Sequence, residues 1–533
     1  MVRGLKKIPY DCFEASFIQF KYLDKKLSDN MTMEKRLYSE ALRLLKKYRK
    51  GDEMTEEAVK ILKENNVKQV LCAFCDVRGY LQMFSIPARE FTDGSAFEGI
   101  GFDGSSVRGF KTIEQSDMVW VPDPSTIKII PWIDDPVQKT AIMFGDCYEA
   151  WGTEVANCDP RGYVAKRLQK MLGDEGKTAI FGPEIEFFVF DSADPTRLTW
   201  DMWVSPNGGA GDSWGPPRVM PDSPEVTPGG FIIRPKEGYF RAPPEDTTVE
   251  YRNELVYYLE QLGVDVEYHH HEVATAGQVE LDFKPKQLVD VGDAFYLYKF
   301  AAKNIAAMYG MVATFMPKPL YLDNASGMHT HQSLWKGEPF SGEALFADPD
   351  DEFMLSQTAR YYIGGLLEHA KALTALCAPT VNSYKRLVPG FEAPIYICWS
   401  PRNRSALVRV PMYLKKPSAI RVEYRGADPS CNPYLAFAAM LAAGLDGIKK
   451  KIDPGDPLMK DVYELSPKEK KEFGVGELPT TLRDALDHLA SDEVIQKVLG
   501  SHIFDAFMEI KIDEWNQYCL YITPWEFMKY LDI

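Results

Sequence analysis

Hydrophobic and polar positions along the chain fall into blocks of different period. Met33–Arg49 sets Leu37, Leu42, Leu44 and Leu45 at helical spacing among basic residues, which predicts a solvated helix. Thr55, followed by Glu56 and Glu57, reads as the N-cap of a second helix running to about Glu64. VKQVLCAFCDVRGYLQMFSI then predicts two strands split by an Arg-Gly turn. Gly99–Asp117 (GIGFDGSSVRGFKTIEQSD) is rich in glycine and small hydroxyls and predicts an exposed, shaped loop. A break at Asp159-Pro160 precedes a helix over Arg161–Leu172, and the main domain boundary falls near residue 155. Phe181–Phe190 (FGPEIEFFVF) predicts a buried strand opened by a Gly-Pro turn. Residues 204–230 predict an irregular loop, Thr247–Leu262 a helix, and Val264–Phe283 strand again. The chain therefore divides into an appendage (1–54), a small α+β domain (55–155) and a large domain (156–533).

The Phe181–Phe190 strand poses the central question. Glu184 and Glu186 are two apart, so they point to one face. Two carboxylates side by side in a core repel each other, and each costs several kcal/mol (roughly) to desolvate. A cation between or beyond them relieves this, and oxygen ligands suit Mg²⁺ or Mn²⁺. A solvated acidic face is the plainer reading of this segment alone. Further ligand types follow in VDVEYHHHEVATAGQVELDF. There Glu272 and Glu280 are the preferred ligands, with the three adjacent histidines as support. His329 and His331 share a strand face in NASGMHTH.

Composition narrows the function. A formal charge of −16 argues against nucleic acid as a main partner. No apolar run is long enough to span a membrane, and the N-terminus lacks a signal-type apolar core, so a cytoplasmic protein is expected. Nine unpatterned cysteines predict reduced thiols, and the Cys72/Cys75 pair has no second pair beside it. Against this acidic background, Arg386, Arg402, Arg404, Arg409, Arg421 and Arg425 crowd into about forty residues. Arginine suits bidentate carboxylate and phosphate contacts, so this region is expected to face an anion. Glu423 shares a face with Arg421 and Arg425.

Taken together, GFDGSSVRGF, FGPEIEFFVF, KEGYF, HHHEVATAGQVE, NASGMHTHQSL, PTVNSYKRLVPGFEAP, NRSALVRVP, RVEYRGADP and NPYLAFAAMLAAGLDGI resemble the type I glutamine synthetase family over residues 65–533. The resemblance implies a β-grasp-like small domain and a catalytic domain whose antiparallel sheet walls an active-site funnel. It implies ATP-dependent ligation of ammonia to glutamate through a γ-glutamyl phosphate, with two or three Mg²⁺ or Mn²⁺ ions per site. It also implies a dodecamer of two stacked hexameric rings. By the same resemblance Glu186, Glu272 and Glu280 hold a first metal, and Glu184, His329 and Glu423 a second. Asn324, Ala325, Arg386, Glu392 and Arg425 take glutamate. Arg404 and Arg409 face phosphate, while Glu267, His331, Ser333 and Arg421 join them around ATP. Asp103, Ser106, Tyr239, Glu272 and Glu392 form the ammonium pocket, with Asp103, Glu392 and Arg404 as the catalytic groups. The Asp103 loop is expected to complete the site of a neighbouring subunit.

The sequence departs from the family pattern at a few positions. Ala325 replaces a usual glycine, and Thr112 stands where one branch carries a feedback arginine. Tyr463 aligns with a tyrosine that some bacterial members adenylylate, but its flanks match only in part. The competing readings are a γ-glutamyl ligase of the same fold acting on an organic amine, and a non-catalytic relative. An intact ammonium pocket argues against the first, and a complete ligand set against the second.

Overall fold

A buried carboxylate shapes the first turn of the first sheet. β1 (Gln69–Cys75) and β2 (Leu81–Pro87) pair antiparallel in continuous register. Between them Asp76 accepts from the Tyr80 N–H, from Arg78 and from Gln82, while Gly79 supplies the positive φ of +90° that the turn requires. The sheet is completed by β3 (Ile100–Asp103), β4 (Asp117–Pro122), β5 (Lys128–Ile129) and β6 (Thr140–Glu149), in the order β2-β1-β6-β4-β3 with β5 on β6. Only β1 and β6 run parallel. Fully buried Trp120 anchors this sheet, donating to the Ala73 carbonyl at 3.2 Å. A Cβ on Gly145 would lie 2.3 Å from the Trp120 ring, so glycine is needed there.

This computed structural model describes residues 53–193, 204–206, 233, 236–275, 277–390 and 393–533. Met33–Arg49 therefore lies outside the described residues, as does most of 204–230. The chain divides into two compact units at Ile61/Leu62, and both large sheets belong to the unit Leu62–Ile533. All eight cysteines from Cys72 to Cys519 are free thiols. Cys72 and Cys75 are buried in β1, and burial pushes the Cys72 thiol up to about 12.

The second sheet is built on β7, which runs over Lys177–Ala193. Beside it lie β8 (Val204–Pro206), β9 (Val266–His271), β10 (Gln278–Phe283), β11 (Lys286–Gln287), β12 (Val312–Thr314), β13 (Met328–Lys336) and β14 (Glu343–Ala344). β15 (Tyr396–Ile397) leaves to pair with a later strand at Gly476–Glu477. β16 (Trp399–Pro401), β17 (Val408–Val410) and β18 (Val422–Tyr424) return to give the order β16-β17-β18-β13-β7-β10-β9. Helices pack behind it. The helix Leu288–Met308 buries two thirds of its residues, and Pro433–Lys450 is capped by the Asn432 side chain and buried almost all round.

Several expectations need correction. Thr55 lies inside a helix over 53–64 rather than capping it. Gly182-Pro183 does not turn; β7 runs straight through it. Proline is tolerated there because the neighbouring ladder is interrupted between Asp282, which pairs with Glu184, and Lys286, which pairs with Phe181. The front of the glycine-rich loop is strand β3, and the loop expected from residue 204 begins with strand β8. As expected, the large sheet is antiparallel, apart from its edge pair β16–β17, which is parallel.

Candidate active site

Strand register assembles the site from residues far apart in sequence. Glu186 of β7 stands opposite Glu280 of β10, and Glu184 opposite Asp282. On the other side of β7, Glu184 faces His329 of β13; His331 faces Glu423 of β18, and Glu423 faces Arg409 of β17. One row of acidic and basic side chains thus crosses five strands. Its Glu280, Asp282, Glu186, Glu184, His329 and His331 form the floor of a cavity of about 1380 Å³, with Glu423 and Arg409 directly behind.

Within the floor, donors gather in two clusters. Glu184, His331 and Glu423 offer ligand atoms all within 4.8 Å of one another, and so do His270, Glu272 and Glu280. This grouping differs from the one the resemblance implied. His331 stands in the first cluster in place of His329, and His270 in the second in place of Glu186. The reason is visible in the bonds. Glu184 uses both oxygens, one 2.6 Å from His331 Nε2 and the other 3.1 Å from His329 Nδ1. Glu186 commits its Oε2 to the Gly327 N–H at 2.9 Å and the Gln278 amide at 3.2 Å. A Cβ on Gly327 would meet Arg386 Nη2 at 2.8 Å, so a side chain there would push that guanidinium aside.

The electrostatics divide the same way. Burial raises the Glu280 pKa, and Asp282, Glu186, Glu272 and Glu184 push it further up. Asp282 is raised by burial and by Glu184, and its buried Oδ1 has no hydrogen-bond partner. Burial works against the charge of Glu184 as well, but His331 and His329 override it and hold that carboxyl well below the usual range. Burial likewise opposes the charge of Glu423, yet Arg425 and His331 pull its pKa down to about 2. The donor set is rich in carboxylate oxygen, and its mutual repulsion is what a divalent cation relieves. It fits Mg²⁺ or Mn²⁺.

The remaining predicted residues are distributed around the floor. Asn324, Ala325, Arg386 and Arg425 line one side; Arg386 is buried, donating to the Gly426 and Arg425 carbonyls. Glu267, His331, Ser333 and Arg421 line another, where Arg421 Nε donates to His331 Nδ1 at 3.2 Å. Arg404 and Tyr239 also line the cavity, and the Tyr239 segment lies so close to the 272–274 turn that a Cβ on Gly238 would sit 2.3 Å from two carbonyls. Arg409 and Glu423 lie behind the wall, joined at 2.6 Å. Asp103 and Ser106 are not among the residues lining this cavity. Asp103 is exposed at the end of β3 and accepts from Ser105 N, Ser105 Oγ and Ser106 Oγ at 2.9, 2.7 and 2.6 Å. These bonds hold its carboxyl below the ordinary value. Glu392 lies outside the described residues. Tyr463 lines the cavity, and its hydroxyl donates to the Ala393 carbonyl at 2.5 Å.

Four functional candidates escaped the sequence reading or were given a lesser part in it. Gln278 and Asp282 share the face of Glu280 by strict alternation, so the spacing already carried them. His270 lay within the run assigned a supporting part. Tyr413, between Arg409 and Arg404, had no sequence signal of its own.

An acidic floor beside a wall of guanidinium groups defines an enzyme site for anionic substrates and divalent cations. A family model of the glutamine synthetase catalytic domain matches residues 157–530, and one of the glutamine synthetase β-grasp domain matches residues 66–150. The glutamine synthetase of Archaeoglobus fulgidus is 85% identical over 487 residues, covering 91% of this chain and 99% of that protein. That of Sulfolobus acidocaldarius is 45% identical over 481 residues, 89% and 98% of the two chains. Among solved structures, one described as a GmaS/ADP complex aligns with a TM-score of 0.73 at 30% identity, covering 89% of this chain and 99% of its own. The chain belongs to the glutamine synthetase family and is an enzyme with that family's two-domain fold. No described helix is long and apolar enough to cross a membrane.

Proposed function

We propose that the chain joins ammonia to L-glutamate at the expense of ATP, forming glutamine through a γ-glutamyl phosphate. The observation that carries this reading is the row of Glu280, Glu186, Glu184, His331 and Glu423 across neighbouring strands, with Arg386, Arg404, Arg421 and Arg425 on the walls of the same cavity. Divalent cations bound at the two donor clusters supply neutralisation between the acidic floor and the phosphates. Arg386 and Arg425 hold the glutamate carboxylates beside Asn324 and Ala325. Glu267, Ser333 and Arg421 hold the nucleotide, and Arg404 neutralises charge on the transferred phosphoryl group. Such phosphoryl transfer is mostly positioning and charge stabilisation.

In the second step an ammonium ion must lose a proton before it can attack. Asp103 takes that proton, and Glu392 keeps water from the acyl phosphate. Asp103 is exposed and stands apart from the cavity of its own chain, so it serves the cavity of a neighbouring copy. The enzyme then works as a ring assembly, a dodecamer of two stacked hexamers. The test is phosphate release with ATP, glutamate and Mg²⁺, comparing ammonium with a panel of amines, alongside sedimentation. Ammonium is expected to give the highest rate, in the large assembly only. A higher rate with an organic amine, or full activity in a monomer, would overturn the corresponding part.

A further inference from the structure

Tyr413 lines the cavity four residues after Arg409. Its phenol oxygen accepts an N–H from Arg409 Nη2 at 2.8 Å, and the positive charge of Arg404, which lines the same cavity, also acts on it. The Arg409 guanidinium carbon stands 5.4 Å from the centre of the Tyr413 ring. Arg409 does not itself reach the cavity, and its other terminal nitrogen is spent on Glu423. A tyrosine hydroxyl has two lone pairs and one proton. The Arg409 guanidinium fills one lone pair here, and the hydroxyl proton is left to be offered to the cavity that Tyr413 lines. Among the described residues no group accepts it. A hydroxyl polarised by two cations is a strong donor, and a neutral ligand uses this far less well than an oxyanion does.

We propose that Tyr413 donates its hydroxyl to a phosphoryl oxygen of the nucleotide, and that Arg409 acts as a positioning residue through it from behind the wall. This rests on the reading that the cavity takes ATP. The acceptor is a phosphoryl oxygen rather than a glutamate carboxylate because Tyr413 bonds to Arg409 and shares its part of the cavity with Arg404. Arg386 and Arg425, by contrast, stand beside the 324–327 loop.

The test is Tyr413→Phe in the full chain, with Tyr413→Ala beside it. Phe keeps the ring over Arg409 and removes only the hydroxyl. Loss of one charge-assisted hydrogen bond is expected to lower kcat for phosphate release about 10- to 100-fold, with KM for ammonium unchanged. Calorimetric titration of inorganic phosphate into the ADP-bound enzyme is expected to show affinity about tenfold weaker than wild type. Tyr413→Ala is expected to behave like Phe to within a few fold. Wild-type kcat and phosphate affinity in Tyr413→Phe would overturn the proposal, and so would a rise in KM for glutamate alone. A wild-type enzyme that released no phosphate with ATP, glutamate and ammonium would sink the proposed function instead. The phosphate titration would still judge Tyr413 in that case, and failure of the wild type to bind phosphate or ADP would overturn it.

Discussion

Two regions of this chain bury several charges each, and they do so in opposite ways. Around Arg161 the charges answer one another. Its guanidinium binds Asp293 through two nitrogens at 2.8 and 2.7 Å, Asp146 at 2.7 Å and Asp123 at 3.1 Å. Lys166 closes the ring onto Asp123 and Asp146 at 2.8 and 2.6 Å. None of these side chains has a buried polar atom without a partner. The cavity floor is different. Glu423 is matched by Arg409 and Arg425 and Glu184 by two histidines, but Glu186, Glu280 and Asp282 crowd together with no arginine or lysine bonded to them. Asp282 Oδ1, Arg409 Nε and Arg425 Nε are left unpartnered there. A cluster neutralised within the chain holds elements together; one left unbalanced is poised for something from outside.

The sharpest way to break this comparison is to remove charge from the floor. Glu184→Gln keeps the shape and one acceptor oxygen, while its NH2 faces the other histidine as a donor. Turnover is expected to fall by at least ~10³-fold, the scale on which charge stabilisation acts in phosphoryl transfer. Titration with Mn²⁺ should show one weakened site, while the melting temperature stays the same or rises. Near-normal turnover with full Mn²⁺ binding would mean the floor is only a solvated acidic face.

Asp103 tests a charge that is not buried at all. Asp103→Asn keeps the turn, because the asparagine oxygen still accepts from Ser105 while its NH2 can donate to Ser106 Oγ. If Asp103 is the base, glutamine formation should drop about 10²- to 10⁴-fold and recover in part at high pH, with metal and ATP binding intact. Unchanged kcat and ammonium KM would reduce it to a turn residue.

The balanced region should respond in stability rather than chemistry. Arg161→Met leaves Asp293, Asp146 and Asp123 facing each other, and is expected to cost about 3–5 kcal/mol in urea unfolding. Mn²⁺ affinity of the folded fraction should not change. A loss of Mn²⁺ binding without a loss of stability would show that the two regions are not separate.

The sequence carried the floor better than the walls, for a physical reason. Alternation puts Glu184 and Glu186 on one face whatever the tertiary structure, and the same holds for His329 and His331. Their pairing with Glu280 and Glu423 depends on register between strands far apart in sequence, which no local pattern fixes. The Gly182-Pro183 pair shows the converse. It has strong turn chemistry, yet it sits inside a 17-residue strand because a gap in the adjoining ladder spares the missing N–H. The Arg161 network was invisible because its members come from four separate segments. Tyr413 was missed because a lone tyrosine gains meaning only from the two arginines that converge on it.

The smallest expected effect isolates the imbalance itself. Burial and neighbouring carboxylates raise the Glu280 pKa in the folded protein. A carboxyl with a raised folded value favours the fold most below its unfolded pKa of ~4.3. That contribution is lost as the pH rises through the folded value. Glu280→Gln removes the titration while keeping the size. With chelator present, the variant should therefore melt above wild type at pH 8 by about 1–3 °C, a shift of the order that ~1 kcal/mol brings in a large chain. The gap should shrink as the pH falls toward ~4.5, where wild-type Glu280 also carries a proton. Taking the difference between the two proteins cancels the buried histidines, whose lowered pKa values act in the opposite sense in both. Saturating Mg²⁺ should reverse the order, because wild type then gains a cation that the variant holds less well. A gap that stayed constant with pH, or that ignored Mg²⁺, would mean that Glu280 is neutralised within the chain after all, as the carboxylates around Arg161 are.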